Sequence, residues 1–187
     1  MKTIFYLTFA ACLLTGVLAC SLKDIFKVKE ELPTLSQDGR KAMGFLLNGE
    51  VWVPKGRTGQ SQNYQFDVDP DFDSLGVFNI SVYRFPNFGD GTRNGYQDFA
   101  IGARTKATGI YQIGKATPGW VVFFDWDSKC EYSNFRASDT LTQADGYLEI
   151  TRYDLEKGVF QGEFEVTLWK PGCDTMRITE GRFDWKF

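Results

Sequence analysis

The run DVDPDFD places Asp67, Asp69, Asp71 and Asp73 at alternate positions. Ca²⁺ binds carboxylate oxygens, and EF-hand loops supply them from alternate positions of this kind. The EF-hand pattern also requires glycine at position 6 and glutamate at position 12, and this chain has phenylalanine at both. The run is therefore interpreted as a solvated acidic turn between two strands, with a Ca²⁺ site as the alternative. No other cofactor is expected.

A second candidate site is the glycine- and asparagine-rich loop FPNFGDGTRNGYQD. It contains Phe88, Asp90, Asn94 and Tyr96, which form a candidate ligand-binding set. Loops on rigid scaffolds often bind ligands, and aromatic rings beside Asp and Asn can stack on a sugar and hydrogen-bond its hydroxyl groups. The alternative is a hairpin tip whose aromatic residues fold back on the sheet.

A third possibility is a pair of catalytic carboxylates, as in glycoside hydrolases. Asp125, Asp127, Glu163 and Glu165 are candidates, but the two glutamates alternate with apolar residues and should share a solvent-exposed strand face. The chain has no histidine, which excludes Ser-His-Asp and Cys-His catalysis and most zinc sites. We therefore predict no catalytic residues, and a carboxylate-based hydrolase is the alternative.

The N-terminus carries the most specific signal. One lysine precedes an uncharged apolar stretch, residues 4–19, which is shorter than a membrane-spanning helix and typical of a signal peptide. The sequence VLAC, residues 17–20, resembles the bacterial lipobox. The resemblance implies cleavage before Cys20 and acylation of that cysteine, and several acyl chains anchor a protein stably. The alternative is ordinary secretion with Cys20 as a spare thiol.

The predicted location is the bacterial cell envelope. By analogy, Ser21 after the modified cysteine favours the outer membrane, with the periplasmic or the surface face left open. The net charge is −3 and no basic run is present, so nucleic acid is not an expected partner. In an exported chain, the even pair Cys130 and Cys173 is expected to form a disulfide.

These features need a β scaffold. Asn48-Gly49 between apolar runs predicts a tight hairpin with Phe45 opposite Trp52. Further alternating runs bring the total to about nine strands with no long amphipathic helix, which predicts an all-β antiparallel sandwich. A closed lipocalin-like barrel is the alternative. The segment TGIYQIG is interpreted as a short helical turn or a loop.

The last run changes phase. Its apolar residues are at even positions up to Ile178 and at odd positions from Phe183, so a β-bulge is predicted at Gly181. The alternative is that the two halves of the run face different cores. The resulting domain plan is a signal peptide at 1–19, a lipidated tether at 20–41 and a single β domain at 42–187.

The stretches GFLLNGEVWVP and CDTMRITEGRFDWKF resemble the two ends of an uncharacterised Bacteroidetes envelope lipoprotein family. GYLEITRYDLEKGVFQGEFEVTL resembles a late hairpin of the same family. The resemblance implies an envelope location and a β domain, and it implies no catalytic or binding residue. The expected function is a non-catalytic domain, tethered to the membrane by its N-terminal lipid, that binds an unknown envelope protein or small ligand. The alternative is a carbohydrate- or Ca²⁺-binding module.

Overall fold

The computed structural model describes residues 30–34, 39–56, 63–85 and 94–186. The prediction of an all-β fold is confirmed. These segments contain eleven strands, two more than the sequence patterns indicated. The strands are β1 (Ala42–Leu47), β2 (Glu50–Trp52), β3 (Tyr64–Asp69), β4 (Val77–Arg84), β5 (Gln97–Ala103), β6 (Gly109–Ile113), β7 (Gly119–Asp125), β8 (Cys130–Ser133), β9 (Gln143–Asp154), β10 (Val159–Trp169) and β11 (Met176–Lys186). A short 3₁₀ turn, Phe72–Ser74, lies between β3 and β4.

The two additional strands are β6 and β8. The prediction of a helical turn or loop at TGIYQIG is wrong, because Gly109–Ile113 pairs antiparallel with β9 along its whole length. β6 exposes Ile110 and buries Ile113, so it lacks the clear alternation by which longer strands are recognised. β8 has 4 residues and is defined by its antiparallel pairing with β7.

All eleven strands belong to one sheet, in the order β2-β1-β11-β10-β9-β6-β7-β5-β4-β3, with β8 added beside β7. The strands pair antiparallel apart from one parallel contact between Ile113 of β6 and Gly119 of β7, and an isolated parallel bridge joins Lys55 to Arg84 of β4. The sheet formed by the described strands is not closed. The open, mixed sheet is consistent with the sandwich-like prediction and not with the barrel alternative.

The core lies between the two halves of this sheet. Phe66 of β3 packs with its ring centroid 5.1 Å from that of Phe160 in β10 and 5.5 Å from that of Trp185 in β11. The rings of Phe78 in β4 and Phe183 in β11 are 5.4 Å apart. Strands far apart in the sheet order therefore face each other, and their apolar sides exclude water from both halves.

The predicted hairpin at Asn48-Gly49 is confirmed. Both residues have positive φ, 52° and 87°, as the tight turn between β1 and β2 requires. Phe45 lies directly opposite Trp52, and their rings stack with centroids 4.6 Å apart.

The predicted bulge near Gly181 is also confirmed. Phe164 of β10 pairs with Gly181, whereas Val166 pairs with Ile178, so β11 carries one extra residue between these pairs. The positive φ is at Glu180, 51°, and not at the glycine. Gly181 instead allows close packing, since a Cβ there would lie 2.4 Å from the ring of Phe164.

The predicted disulfide between Cys130 and Cys173 is present, with Cα atoms 5.9 Å apart. It joins the start of β8 to the turn between β10 and β11. The cysteines are 43 residues apart in sequence. A loop of that length lowers the entropy of the unfolded chain by the equivalent of about 4 kcal/mol.

The predicted signal peptide, Cys20 and most of the predicted tether lie outside the described residues. Gly39, which lies within the predicted tether, contacts the β domain, because its backbone N–H donates a hydrogen bond of 2.9 Å to Asp184 of β11. The Asp184 side chain is buried and also accepts a hydrogen bond from Gln161. Among the described residues, no helix has the length and apolar character needed to cross a membrane.

Candidate functional site: an aromatic trough on the outer face of the sheet

A shallow trough of about 410 Å³ lies on the outer face of β3, β4, β5 and β7, and we call it the outer trough. It is formed where small side chains lie between large aromatic ones on the solvent-exposed side of the sheet. Its lining includes the side chains of Gln65, Ser81, Tyr83, Asp98, Ala100, Val122 and Arg136.

The floor of the outer trough is a row of small side chains. Ser81 pairs with Ala100, and Ala100 pairs with Val122, so the three lie side by side across β4, β5 and β7. Val82, which follows Ser81 on β4, and Val121, which precedes Val122 on β7, are buried in the core. Because side chains alternate between the two faces of a strand, the floor row faces outward.

Aromatic side chains border this floor on both sides. Tyr83, two residues beyond the floor on β4, lies 6.0 Å from Tyr96 between ring centroids, and Phe124 occupies the matching position on β7. On the other side, Trp120 of β7 lies 5.2 Å from Phe135. Trp120 and Phe124 are separated by about 13 Å along the strand at the usual rise per residue. The trough is therefore long enough for a ligand larger than a single small ring.

The indole of Trp120 is held against the sheet by two features. Gly102 pairs with Trp120 across the β5–β7 ladder, and a Cβ at Gly102 would lie 2.5 Å from the indole ring. The indole Nε1 donates a hydrogen bond of 3.3 Å to Asn79 Oδ1. Glycine at position 102 therefore lets the ring approach the backbone, and Asn79 fixes its orientation.

Polar groups complete the border of the outer trough. The hydroxyl of Tyr96 donates a hydrogen bond of 2.7 Å to Asp98 Oδ1. Gln65 contributes a side-chain amide from β3, and the Arg136 guanidinium pairs with Glu131 near the opposite edge. The border thus offers a carboxylate, an amide and a guanidinium beside aromatic rings.

The loop that carries Phe135 and Arg136 is fixed by Asn134. The side-chain oxygen of Asn134 accepts a hydrogen bond of 2.7 Å from the backbone N–H of Val121. Its side-chain nitrogen donates to the backbone oxygen of Gly114 at 2.9 Å. These bonds attach the start of the loop to β7 and to the segment that follows β6.

A second set of contacts fixes the far end of the same loop. Asp139 accepts hydrogen bonds from the Thr142 hydroxyl at 2.6 Å and from Lys170 Nζ at 3.0 Å. Lys170 also donates to the backbone oxygen of Glu131 at 2.8 Å. Burial raises the pKa of the Asp139 carboxyl, but the hydrogen bonds from Thr142 and Lys170 outweigh burial and hold this pKa at about 2.

The disulfide fixes β8, the strand that precedes the loop with Phe135 and Arg136. Cys130 begins β8, the strand that leads into the loop, and Cys173 follows β10. The hydroxyl of Tyr132 in β8 donates a short hydrogen bond to the backbone oxygen of Asp174, next to the disulfide. β8 is therefore attached to the rest of the molecule on both of its sides, through β7 and through the turn between β10 and β11.

Of the four predicted ligand-binding residues, one borders the trough. Tyr96 lies beside Tyr83 and contacts Asp98. Asn94 is exposed and does not line the trough. Phe88 and Asp90 lie outside the described residues.

The four predicted calcium ligands are not gathered into one site. Asp67 accepts hydrogen bonds from Gln65, and Asp69 accepts one from the backbone N–H of Asp71 in the turn after β3. Asp73 forms an ion pair with Arg104 at 3.3 Å. In the described ranges, no group of three or more Cys, Asp or Glu side chains is placed to hold a metal ion. The geometry favours the interpretation as an acidic turn.

The candidate catalytic carboxylates also have local roles. Asp125 accepts hydrogen bonds from the backbone of Asp127 and from the hydroxyl of Ser128, which shapes the turn after β7. Glu163 and Glu165 are exposed on β10, as their alternation indicated.

The residues that sequence reasoning missed are Trp120, Tyr83 and Asp98. The run GWVVFFDW is apolar at consecutive positions, so its outward aromatic residues do not stand out from its inward ones in the sequence. The available signal was the residue type, since tryptophan and tyrosine, with their polar tips, suit a half-exposed position better than aliphatic residues do. Their assembly depends on strand pairing, which the sequence does not display.

Comparison with known proteins gives no further assignment. No family model, no curated protein and no solved structure matches this chain.

Proposed function

We propose that this protein is a non-catalytic binding domain held at the bacterial cell envelope by lipid on Cys20. The anchor keeps the domain at the membrane surface and raises its effective concentration there. The outer trough is the site at which it binds its ligand.

The observation that supports a binding role is the exposure of aromatic side chains on the outer face of the sheet, opposite the buried core. Trp120 and Tyr83 are partly exposed and Phe135 is 61% exposed, whereas Phe78, Phe99 and Phe123 on the inner face of the same strands are buried. Burial of apolar surface stabilises a protein by about 25 cal/mol per Å², and exposed apolar surface does not contribute this energy. A concentrated exposed apolar patch is therefore typical of binding sites.

Two observations favour a binding role over hydrolysis. The Asp125 carboxylate shapes the turn after β7, and the Asp127 carboxylate accepts a hydrogen bond of 2.9 Å from the backbone N–H of Gly95. Glu163 and Glu165 project into solvent from one strand. Two carboxylates lie around the outer trough, Asp98 in the row of Tyr83 and Asp67 in the row of Trp120, and these rows are about 13 Å apart along the strands. Glycoside hydrolysis in most families requires two carboxyl groups that flank the bond to be broken.

The envelope role rests on the VLAC sequence at residues 17–20 and on the resemblance to an envelope lipoprotein family. Its test is acylation of the full-length chain expressed in a Gram-negative bacterium. The wild-type protein should partition into detergent, and its first peptide should begin at Cys20 with added acyl mass. Cys20→Ser should lose the acyl mass.

The matched control is Cys12→Ser, which removes the other cysteine of the N-terminal segment. It should leave acylation and detergent partitioning unchanged. A wild-type N-terminal peptide that lacks acyl mass, or acylation that survives Cys20→Ser, would contradict the proposed anchor.

A further inference from the structure

We propose that the outer trough binds a neutral oligosaccharide, with sugar rings stacked on the aromatic residues at its two sides. The inference rests on the proposed function in one respect, that the trough is the ligand site. It does not depend on the lipid anchor.

The shape of the trough favours a chain of rings. The floor residues Ser81 and Ala100 are short, and the aromatic borders at Trp120 and Phe124 are about 13 Å apart along β7. A ligand that contacts both borders must extend across the floor. A short oligosaccharide meets this requirement, and a single sugar does not.

The chemistry of the border favours sugars over acyl chains. A sugar ring has an apolar face of C–H groups, which packs on an aromatic ring, and a rim of hydroxyl groups. Asp98 pairs with Tyr83 in one border, and Gln65 pairs with the floor residue Ser81, so hydrogen-bonding groups lie beside the stacking rings. An acyl chain would cover the Asp98 carboxylate without replacing its contacts with water, which is costly.

The position of the trough disfavours an extended peptide bound by strand addition. That mode needs a free sheet edge. β5, at the centre of the floor, pairs with β4 on one side and β7 on the other along its whole length. Recognition at this floor must therefore use side chains, as stacking on a sugar does.

The rigidity of the site favours binding without rearrangement. Asn134 and Asp139 fix the two ends of the loop that carries Phe135 and Arg136, and Gly102 and Asn79 fix the indole of Trp120. Because these groups are already ordered, little conformational entropy is lost when a ligand binds.

The test uses the full-length mature protein in detergent and a panel of neutral oligosaccharides built from glucose, mannose, xylose, galactose or N-acetylglucosamine. Binding is measured by calorimetry and by the change in tryptophan fluorescence. At least one member should bind, and Trp120→Ala should weaken that binding by about tenfold or more, which corresponds to about 1.4 kcal/mol. Asp98→Asn should weaken it less, since it leaves the stacking rings in place.

The matched control is Trp169→Ala, which removes an exposed tryptophan of β10 outside the trough. It should leave affinity unchanged. If Trp120→Ala does not fold, as judged by thermal unfolding, Tyr83→Ala replaces it with the same expected loss.

Three results would overturn the inference. The first is no binding to any oligosaccharide of the panel at millimolar concentration. The second is a loss of affinity in the Trp169→Ala control as large as that in Trp120→Ala. The third is unchanged affinity in Trp120→Ala, or in Tyr83→Ala where that variant replaces it. Failure here with intact acylation at Cys20 would leave the envelope role standing. Sugar binding by a chain without acyl mass would leave the trough assignment standing and remove the anchor.

Discussion

The two faces of β4, β5 and β7 use aromatic residues in opposite ways. On the inner face, Phe78, Phe99 and Phe123 are at most 1% exposed and contact other aromatic rings. On the outer face, Tyr83 and Trp120 stay partly exposed, and the Trp120 indole hydrogen-bonds to a polar neighbour. The inner rings stabilise the fold, whereas the outer rings contribute less to stability and remain accessible to a ligand.

The largest expected contrast is between two adjacent residues of β7. Phe123 is fully buried and Phe124 lies on the outer face. Phe123→Ala should lower the free energy of unfolding by about 3–5 kcal/mol, because it leaves a cavity in the core. Phe124→Ala should cost about 1 kcal/mol, in proportion to its partial burial. Urea denaturation of both variants checks the difference, and equal losses would show that the outer ring is part of the core.

The next effect concerns the disulfide that holds β8. Replacing both Cys130 and Cys173 with alanine should lower the free energy of unfolding by about 2–4 kcal/mol, since the unfolded chain gains entropy. Chemical denaturation of this variant and of the wild type under non-reducing conditions measures the loss. An unchanged midpoint in the double variant would mean that pairing with β7 and the hydrogen bond from Tyr132 hold β8 without the disulfide.

The third prediction concerns the Asp139 carboxylate, which fixes one end of the loop that borders the trough. Its pKa in the folded protein is about 2, below the ordinary 3.8, so its charge stabilises the fold above pH 4 and this contribution is lost as the pH falls through 2. Asp139→Asn should lower the free energy of unfolding at pH 7 by roughly 2 kcal/mol. The difference between wild type and variant should shrink as the pH approaches 2, which denaturation at several pH values measures. A difference that does not depend on pH would contradict the assignment.

The smallest expected effect is that of Tyr96→Phe, which removes the hydrogen bond from the Tyr96 hydroxyl to Asp98. The free energy of unfolding should fall by about 0.5–1.5 kcal/mol, as for a typical hydrogen bond. Thermal unfolding is the measurement. A loss as large as that of Phe123→Ala would mean that this border residue supports the core.

Features that depend on neighbouring residues in the chain could be predicted. The Asn48-Gly49 turn follows from residues that tolerate positive φ, and the bulge near Gly181 follows from a change of apolar phase within one strand. β6 could not be predicted in this way, because its structure is determined by its pairing with β9 and not by its own alternation.

The candidate site shows the same division. Tyr96 can be identified from the sequence because it lies in a glycine- and asparagine-rich loop, which is typical of ligand-binding loops. Its neighbours Tyr83 and Trp120 come from different strands, and the register of β4, β5 and β7 places them around one floor. A single sequence does not contain that register.

The sequence by itself determined the all-β class, the hairpin, the phase change and the disulfide partners, because each depends on local backbone preference or on a short count of residue types. The tertiary structure alone decided which outward residues are neighbours. Pairing of strands across the sheet brings together side chains that are far apart in the chain, and it placed short residues between tall aromatic ones to form the outer trough.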